Sequence, residues 1–386
     1  MNIADVKAVA VDGQNRSTTA PNAATSWMAE ARVASPMASY PRYAAVRSQW
    51  TPTWPGLGVV ITADDGTQGL GMSAAGRPVA SLVDDYLGPR ITGEPVLATE
   101  RIYDMMVRLS TAFGSTGIAS YAMSAIDLAL WDLKGKILDR PVYELLGGPA
   151  RDEILCYATG PQHEWHLELG FTATKHPLVY GPADGLDGIT RNIDDIAGLR
   201  ELIGPDIELM LDCWMGLDVA YAVRLIEDLR PFKLKWVEEI LRPEDMDAHA
   251  ELRRRIPWQS LATGEHWSTP MPFQHAARHH LVDVFQPDIQ WVGGLTPLVH
   301  ICAIAAASGI SVIPHGGMND PYGQHACYAM PNIPWGEYFV SAPRGTDLTD
   351  AVTVAGAAHP VNGRLRPSDA PGFGIEIDLA TLPLYS

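Results

Sequence analysis

The sequence has few basic residues for its length, which disfavours partners that are polyanions. Its 386 residues include 28 Lys and Arg against 45 Asp and Glu, a formal net charge of −17. Nucleic acids and anionic membrane surfaces are bound through basic patches. The one basic triplet, 253–255, lies in a predicted helix that also carries Glu251, as on a solvated face. We therefore expect neither nucleic acid nor a membrane as a partner.

The sequence also lacks paired cysteines and long apolar runs. No CxxC pair occurs, and the four cysteines, most of whose neighbours are apolar or small, are Cys156, Cys213, Cys302 and Cys327. Buried free thiols are typical of a reducing compartment. The start, "MNIADVKAVAVDG", has no basic segment followed by a continuous apolar one, and the apolar runs are too short to span a membrane. These features predict a cytoplasmic protein.

Hydrophobic residues make up 47% of the chain and charged residues 19%, which is typical of a globular protein with a sizeable core.

Two strand-like runs, "DVKAVAVDG" and "GLGVVITADDGTQGLG", indicate antiparallel pairing, and the second turns back at Asp65-Gly66. Between them, residues 14–55 have no periodicity. This pattern predicts either a long functional loop or a partly disordered segment. We assign residues 1–115 to an α+β capping domain, with 370–386 returning to it.

Beyond residue 115 the pattern changes to helices that alternate with short strands. Five apolar residues at helical spacing predict an amphipathic helix ending before Pro141; they are Ala122, Ile126, Leu130, Leu133 and Ile137. After it, β-rich runs from "EILCYATG" to "ISVIPHGG" alternate with helical ones. Repeated βα units of this length predict a parallel sheet, either open or closed into a barrel.

Polar residues recur at or just past the ends of successive predicted strands, about 25 residues apart. They are Asp212, Glu238, Glu265, Asp288 and His315. In a barrel these strand ends converge on one face, whereas an open sheet would spread them along an edge. The sequence also lacks the GxGxxG and GxxxxGK[ST] motifs of nucleotide-binding open sheets. We therefore predict an α/β fold, a (β/α)7β TIM-like barrel over residues 116–369.

Three of these residues form a predicted metal site. Asp212, Glu238 and Glu265 cannot all stay ionised when brought together unless a cation lies among them. Oxygen-only ligands on rigid strands suit a hard divalent ion, and Mg²⁺ fits best. Zinc would prefer His or Cys, and Cys213 points to the opposite face of its strand. The alternative for any single acid is a helix cap or an ion pair.

The other two strand-end residues form a predicted general base. Asp288 can hold one nitrogen of the His315 imidazole and raise the basicity of the other; the alternative is a structural histidine. Together with a hard cation, such a pair indicates removal of a proton next to a carboxylate, with the metal stabilising an ene-diolate.

Three further residues are candidates for the same site. Lys175 lies at an earlier strand end and could contact a substrate carboxylate or oxyanion, unless it is a rim lysine in solvent. Glu337 would come from the next strand end, unless it caps a helix or forms a salt bridge. His266 follows Glu265 and needs a loop position to reach the site. We expect the remaining histidines, including the cluster at 275–280, on the surface.

The motifs "LDCW", "KWVEE", "GEH", "QPDIQWVGGLT", "VIPHG" and "GEYF" occur in this order, between "AIDLALWDLKGKILDRPVYELLGG" and "PVNGRLRPSDAPGFGIEID". Through most of its length the chain resembles the enolase superfamily and, within it, the mandelate-racemase-like acid-sugar dehydratases, the rhamnonate dehydratases most of all. The resemblance implies that Asp212, Glu238 and Glu265 bind Mg²⁺. It also implies that His315 removes the C2 proton, with Asp288 setting its basicity and Glu337 stabilising the intermediate.

The resemblance further implies the reaction and the substrate-binding residues. The family reaction removes the 3-hydroxyl of an aldonate as water and gives a 2-keto-3-deoxy acid sugar, with His315 serving again as the acid. Arg47, in "AAVRSQW", matches a substrate-binding arginine that the 14–55 loop brings over the barrel, and Lys175 and His266 are expected beside it. A homo-oligomer is expected for an enzyme of this size.

The chain departs from that group at three places that we expect around the substrate. The loop stretch "SWMAEARVASPM" has no histidine, "HGGMNDPYGQH" replaces small hydroxyl residues after His315, and Trp267 replaces a second histidine after His266. L-lyxonate or another aldonate is therefore an alternative to L-rhamnonate. A racemase or epimerase, an inactive ligand-binding relative and a zinc hydrolase are less favoured alternatives.

Overall fold

The computed structural model describes residues 1–11, 31–46, 49–50, 54, 56–341, 344–350 and 354–385. These residues form a three-stranded antiparallel sheet and a larger sheet with eight consecutive parallel strands. Among the residues described, no helix is both long and apolar enough to cross a membrane. The four cysteines are buried and free, as expected.

The antiparallel sheet is formed near the N-terminus, in the order β1-β2-β3. Its strands are β1 (Ile3–Ala10), β2 (Leu57–Ala63) and β3 (Gln68–Ser73). The predicted hairpin is confirmed, because Thr67 N donates to Asp65 Oδ1 at 2.9 Å across the turn between β2 and β3. Near the other end of the chain, Tyr385 N donates to the Ala8 carbonyl, so this segment lies against β1.

Helices cover this sheet on one side. They are α1 (Gly76–Leu82), α2 (Gly88–Ile91), α3 (Thr99–Ser110) and the long α4 (Ile118–Leu138), with a π-helical turn at Val83–Leu87. Helix α4 packs on β3 so closely that a Cβ on Gly71 would overlap the Ala125 carbonyl, and one on Gly69 the Ala129 carbonyl. Helix α4 is the helix predicted from the apolar spacing, but it is buried on nearly all sides and is not amphipathic.

The eight parallel strands alternate with helices along the chain. The strands are β4 (Ile154–Thr159), β5 (Ala173–Pro177), β6 (Glu208–Asp212), β7 (Val237–Glu238), β8 (Leu261–Thr263), β9 (Val284–Phe285), β10 (Ser311–Val312) and β11 (Gly336–Phe339). The helices between them are α6 (His163–Glu168), α7 (Gly185–Ile203), α8 (Val219–Leu229), α9 (Met246–Arg255), α10 (Pro270–His279), α11 (Leu295–Ala307) and α12 (Pro321–Ala329). Seven βα units and a final strand result, so the predicted (β/α)7β architecture is confirmed.

Short elements join these units. The helix α5 (Val142–Leu145) precedes β4, and β12 (Arg364–Leu365) pairs antiparallel with β4. Single 3₁₀ turns occur at Pro36–Ser39, Pro182–Asp184, Arg230–Phe232, Leu348–Asp350 and Leu379–Thr381.

The strand order closes into a barrel. The sheet runs from β10 back through β4 to β11, and Met318 N, in the loop after β10, donates to the Glu337 carbonyl of β11 at 2.9 Å. Inward-facing side chains fill the lower interior of the barrel; they are Tyr157, Ala173, Met210, Trp236, Ala262, Val284 and Ile313. The carboxyl ends of the strands therefore form the open face, where polar side chains collect. The domain boundary near residue 115 remains a prediction, since α4 contributes to both hydrophobic cores.

Five histidines that we expected on the surface are buried, so that expectation is wrong for them. They are His163, His166, His176, His249 and His325. Two of them form a hydrogen-bonded chain with an acid outside the barrel wall. His163 Nε2 lies 2.8 Å from His176 Nδ1, and His176 Nε2 lies 2.8 Å from Asp195 Oδ2. The sequence did not reveal the partner, because Asp195 lies on the next helix.

We expect Gly71→Ala to lower the free energy of unfolding by about 1–3 kcal/mol, because the new methyl group would overlap the backbone of α4. Urea denaturation measures the loss. Gly198→Ala is the matched control: Gly198 lies in α7 with open space around its Cβ position, so alanine is expected to stabilise by up to about 1 kcal/mol. Equal stability of Gly71→Ala and the wild type would contradict the close packing.

We expect the difference in free energy of unfolding between the wild type and His325→Gln to decrease by about 1 kcal/mol as the pH falls from about 6 to about 5. Burial lowers the pKa of His325 to about 3, whereas the unfolded chain titrates near about 6.5. Stability from the neutral imidazole is thus fully present above the unfolded pKa and is lost as pH falls. Denaturant unfolding across this range measures it, with exposed His275→Gln as control; a constant difference would rule out the lowered pKa.

Candidate active site

Lys175 lies at the centre of the polar face inside the barrel. It is fully buried on β5, and its Nζ contacts a Glu238 carboxylate oxygen, lies 2.6 Å from Glu337 Oε1 and lies 3.7 Å from Asp212 Oδ2. Burial by itself would lower the pKa of the lysine, but the carboxylates outweigh it and hold that pKa well above its usual range. The alternative of a rim lysine in solvent is therefore wrong.

The predicted metal residues Asp212 and Glu238 are paired in register on neighbouring strands, β6 and β7. Glu238 Oε2 accepts hydrogen bonds from Trp236 Nε1 and Gln286 Nε2, both at 2.7 Å. Burial raises the pKa of Glu238 to about 8, even though Lys175 opposes the shift. Too little positive charge reaches this carboxylate to keep it fully ionised near neutral pH.

The third predicted metal residue, Glu265, lies in the turn after β8, between two histidines. Its Oε1 is 3.4 Å from His266 Nδ1 and its Oε2 is 3.6 Å from His315 Nε2. Burial raises the pKa of Glu265 to about 7, and Asp212 contributes in the same direction. Glu238 and Glu265 therefore both carry poorly compensated charge.

The structure brings the predicted base and its partner together. His315 Nδ1 lies 2.8 Å from Asp288 Oδ2, and Gln290 N donates to Asp288 Oδ1 at 2.7 Å. Burial opposes the charged imidazole, but Glu265 above all, then the Asp288 hydrogen bond, raise the pKa of His315 to about 10. With its Nδ1–H donated to Asp288, the ring keeps Nε2 for proton transfer.

Glu337 also reaches the site, although it lies inside β11 and not at the strand end that we predicted. Its Oε1 accepts from Thr159 Oγ1 at 2.6 Å, and its Oε2 accepts from Gly316 N at 2.9 Å. Burial raises its pKa, but Lys175 and then His315 outweigh burial and lower it. Glu337 is thus an ionised carboxylate next to the predicted base, and it also forms the salt bridge with Lys175 that the alternative interpretation expected.

His266 has the loop position that it needed, and it has a partner that the sequence analysis missed. Its Nδ1 lies 2.9 Å from Glu239 Oε2, while Glu239 Oε1 accepts from Thr263 Oγ1 at 2.7 Å and from Gly264 N at 3.4 Å. Strand alternation places Glu239 on the face opposite Glu238, but its φ of +47° ends β7 and redirects the side chain. The two adjacent acids at this strand end, Glu238 and Glu239, were the sequence signal that could have revealed the partner of His266.

The carboxylates fit a hard divalent cation. In the part of the chain that the structure describes, ligand atoms of Glu239, Glu265 and His266 all lie within 4.8 Å of one another. The hydrogen bonds described above already occupy both Glu239 oxygens, however. Asp212, Glu238 and Glu265 offer an oxygen-only set with excess buried negative charge, which is the donor chemistry that Mg²⁺ prefers. These residues as ligands remain our prediction.

The described part of the 14–55 segment lies over the loops after β5 and β6. Ala34 N donates to the Leu178 carbonyl at 2.8 Å, and the Trp50 ring centroid lies 5.5 Å from that of Trp214, which follows Asp212 by two residues. The predicted substrate-binding Arg47 lies outside the described residues.

Trp267 faces away from the site, so our expectation that it lies around the substrate is wrong. Its Nε1 donates to the Pro243 carbonyl at 3.0 Å, and its ring centroid lies 5.2 Å from that of Phe273 in the outer core. A tryptophan at this position therefore says little about substrate choice.

Two family models match most of the chain. The mandelate racemase/muconate lactonizing enzyme N-terminal domain matches residues 28–147, and the enolase C-terminal domain-like family matches residues 163–381. The L-rhamnonate dehydratase of Saccharopolyspora erythraea is 42% identical over 350 residues, which are 90% of this chain and 89% of that protein.

Solved structures also resemble this chain over most of its length. The rhamnonate dehydratase of Gibberella zeae complexed with Mg is 31% identical, with a TM-score of 0.91 over 100% of this chain and 96% of that one. The 3,6-anhydro-D-galactonate cycloisomerase of Zobellia galactanivorans is 32% identical, with a TM-score of 0.73 over 84% of this chain and 92% of that one. These similarities extend over nearly the whole chain, and the barrel carries buried acids beside a His-Asp pair at its strand ends. The chain therefore belongs to the enolase superfamily.

Proposed function

We propose that this protein is a Mg²⁺-dependent acid-sugar dehydratase that converts an aldonate to a 2-keto-3-deoxy acid sugar, with L-rhamnonate as the first candidate substrate. The observation that carries the proposal is the His315–Asp288 pair, held at 2.8 Å beside buried carboxylates. Relatives that carry the name rhamnonate dehydratase support the substrate class.

In the proposed reaction, His315 Nε2 takes the C2 proton while Asp288 keeps the Nδ1–H in place. Because Glu265 is the charged group that raises the His315 pKa most, neutralisation of that carboxylate would bring the pKa down towards the range in which Nε2 accepts a proton. His315 then returns the proton to the 3-hydroxyl, the C3–O bond breaks, and water leaves. The resulting enol takes up a proton at C3, loses the proton of its 2-hydroxyl to solvent, and becomes the 2-keto product.

Asp212, Glu238 and Glu265 are the residues proposed to hold Mg²⁺. The bound ion would supply positive charge to the substrate carboxylate as it gains ene-diolate character. Glu337, fixed by Thr159 and Gly316, is proposed to stabilise the intermediate from the side of the base. Because an ionised carboxylate would repel an ene-diolate, this role requires that Glu337 carry a proton when the intermediate forms.

The remaining predicted site residues are proposed to bind substrate. Glu239 holds His266 Nδ1, which leaves Nε2 for a substrate hydroxyl. Lys175 contacts three carboxylates, so it acts first as their counter-ion and orients them around the substrate. Arg47 remains a proposed contact from the cap segment.

L-lyxonate or another aldonate remains an alternative substrate, and a cytoplasmic homo-oligomer is the expected form. A racemase or epimerase is disfavoured, since it needs a second base across the substrate. After Lys175 the strand continues with His176 and Pro177, so it carries no second lysine on the same face.

A screen of aldonic acids with Mg²⁺, with detection of 2-keto acid, is expected to show turnover that His315→Asn lowers by about 10²-fold or more, because asparagine cannot carry the proton. His275→Asn, at an exposed position on α10, is the matched control and should retain turnover. If no aldonate gives keto acid with the wild type, the dehydratase assignment is wrong.

We expect Mg²⁺ to raise the melting temperature of the wild type by a few degrees, because an ion that binds only the folded state stabilises it. A chelator should abolish turnover. Asp212→Asn should lose the thermal shift, whereas Asp206→Asn, which changes an exposed acid just before β6, should keep it. Equal shifts in both variants would show that the ion binds elsewhere.

A further inference from the structure

We infer that helix α4 positions the general-base pair, because three polar residues on one of its faces hold the loop that carries Asp288. The inference rests on the proposed function, in which Asp288 and His315 form that pair. The three residues are Ser120, Ser124 and Asp127, and their spacing of four and then three puts them on one face of a helix. All three are fully buried, so their polar atoms need partners inside the protein.

Two serines bind successive backbone groups of the loop. Ser120 Oγ donates to the Trp291 carbonyl at 2.5 Å, and Gly293 N donates to Ser124 Oγ at 2.8 Å. The Ser124 hydroxyl donates its own hydrogen to the Ser120 carbonyl at 3.0 Å, so its lone pairs remain to accept from Gly293. The donor directions are therefore mutually consistent.

The third contact fixes the end of the loop, where α11 begins. Thr296 donates to Asp127 twice, from its backbone N at 2.9 Å and from its hydroxyl at 2.6 Å. Gly294 has a φ of +104°, and a Cβ there would overlap the Asp127 carboxylate. Glycine at this position allows the loop to approach α4 closely enough for the contacts to form.

The loop transmits this position to Asp288, because it is a tight turn around that residue. Trp291 N and Val292 N both donate to the Asp288 carbonyl, at 3.0 and 2.8 Å. Gln290 N donates to the Asp288 side chain at 2.7 Å. A shift of the Trp291 backbone therefore moves the carboxylate that holds His315.

The side chain of Trp291 also packs against two rings of the site. Its ring centroid lies 5.1 Å from that of His315 and 5.5 Å from that of His266. Trp291, whose carbonyl accepts from Ser120, thus packs its indole against both histidines. From β3, Ser73 Oγ donates to the Gln290 carbonyl at 2.6 Å, so two elements outside the barrel, α4 and β3, hold the loop.

The test is the double variant Ser120→Ala with Ser124→Ala, which keeps good helix formers in α4. A displaced base slows the proton-transfer step more than it weakens substrate binding. We expect kcat with an aldonate to fall about tenfold or more while KM changes by less than about threefold. The primary deuterium isotope effect on kcat, measured with the C2-deuterated aldonate, should rise. Amide exchange in residues 286–296 should become faster.

Ile126→Val is the matched control, since Ile126 lies in α4 within the other hydrophobic core and its truncation destabilises the helix without touching the loop. It should keep kcat, the isotope effect and the loop exchange of the wild type. Unchanged values in the serine variant, or an equal loss in Ile126→Val, would overturn the positioning role. If the wild type turns over no aldonate, the proposed function fails, and loop exchange alone then decides: equal exchange in the serine variant and the wild type overturns the inference.

Discussion

A single buried ammonium group, that of Lys175, is shared by three carboxylates inside the barrel, and the rest of the site is arranged around this imbalance of charge. Burying like charges together is costly unless cations and hydrogen-bond donors compensate them. Donors from Trp236 and Gln286 partly stabilise Glu238, yet burial still raises its pKa. Such an arrangement does little for stability and is typical of a functional site.

The barrel and the cap contribute different parts of this arrangement. The short parallel strands bring Asp212 and Glu238 into register, and the loops that follow β8, β9 and β10 bring Glu265, Asp288 and His315 to the same face. Helix α4, which lies between the antiparallel sheet and the barrel, holds the loop around Asp288 through buried serines. The His315–Asp288 pair, our proposed general base, is therefore held both by the barrel loops and by α4.

Much of the candidate site could be predicted from the sequence because its signals are local. A polar residue after each apolar run marks a strand end, and parallel strand ends converge, so Asp288 could be paired with His315 from the order of the strands alone. The sequence analysis missed Glu239, because strand alternation fails where the backbone takes a positive φ. It also placed Trp267 near the substrate, whereas its side chain packs in the outer core.

The sequence by itself determined the order of βα units, the hairpin at Asp65-Gly66 and the set of chemical groups at the strand ends, because each of these depends on residues close together in the chain. The tertiary structure alone decided that Lys175 is buried among carboxylates, that His163 and His176 are internal, and that Ser120 and Ser124 reach the Asp288 loop. Those outcomes depend on contacts between residues far apart in the chain, whose distances no local pattern specifies.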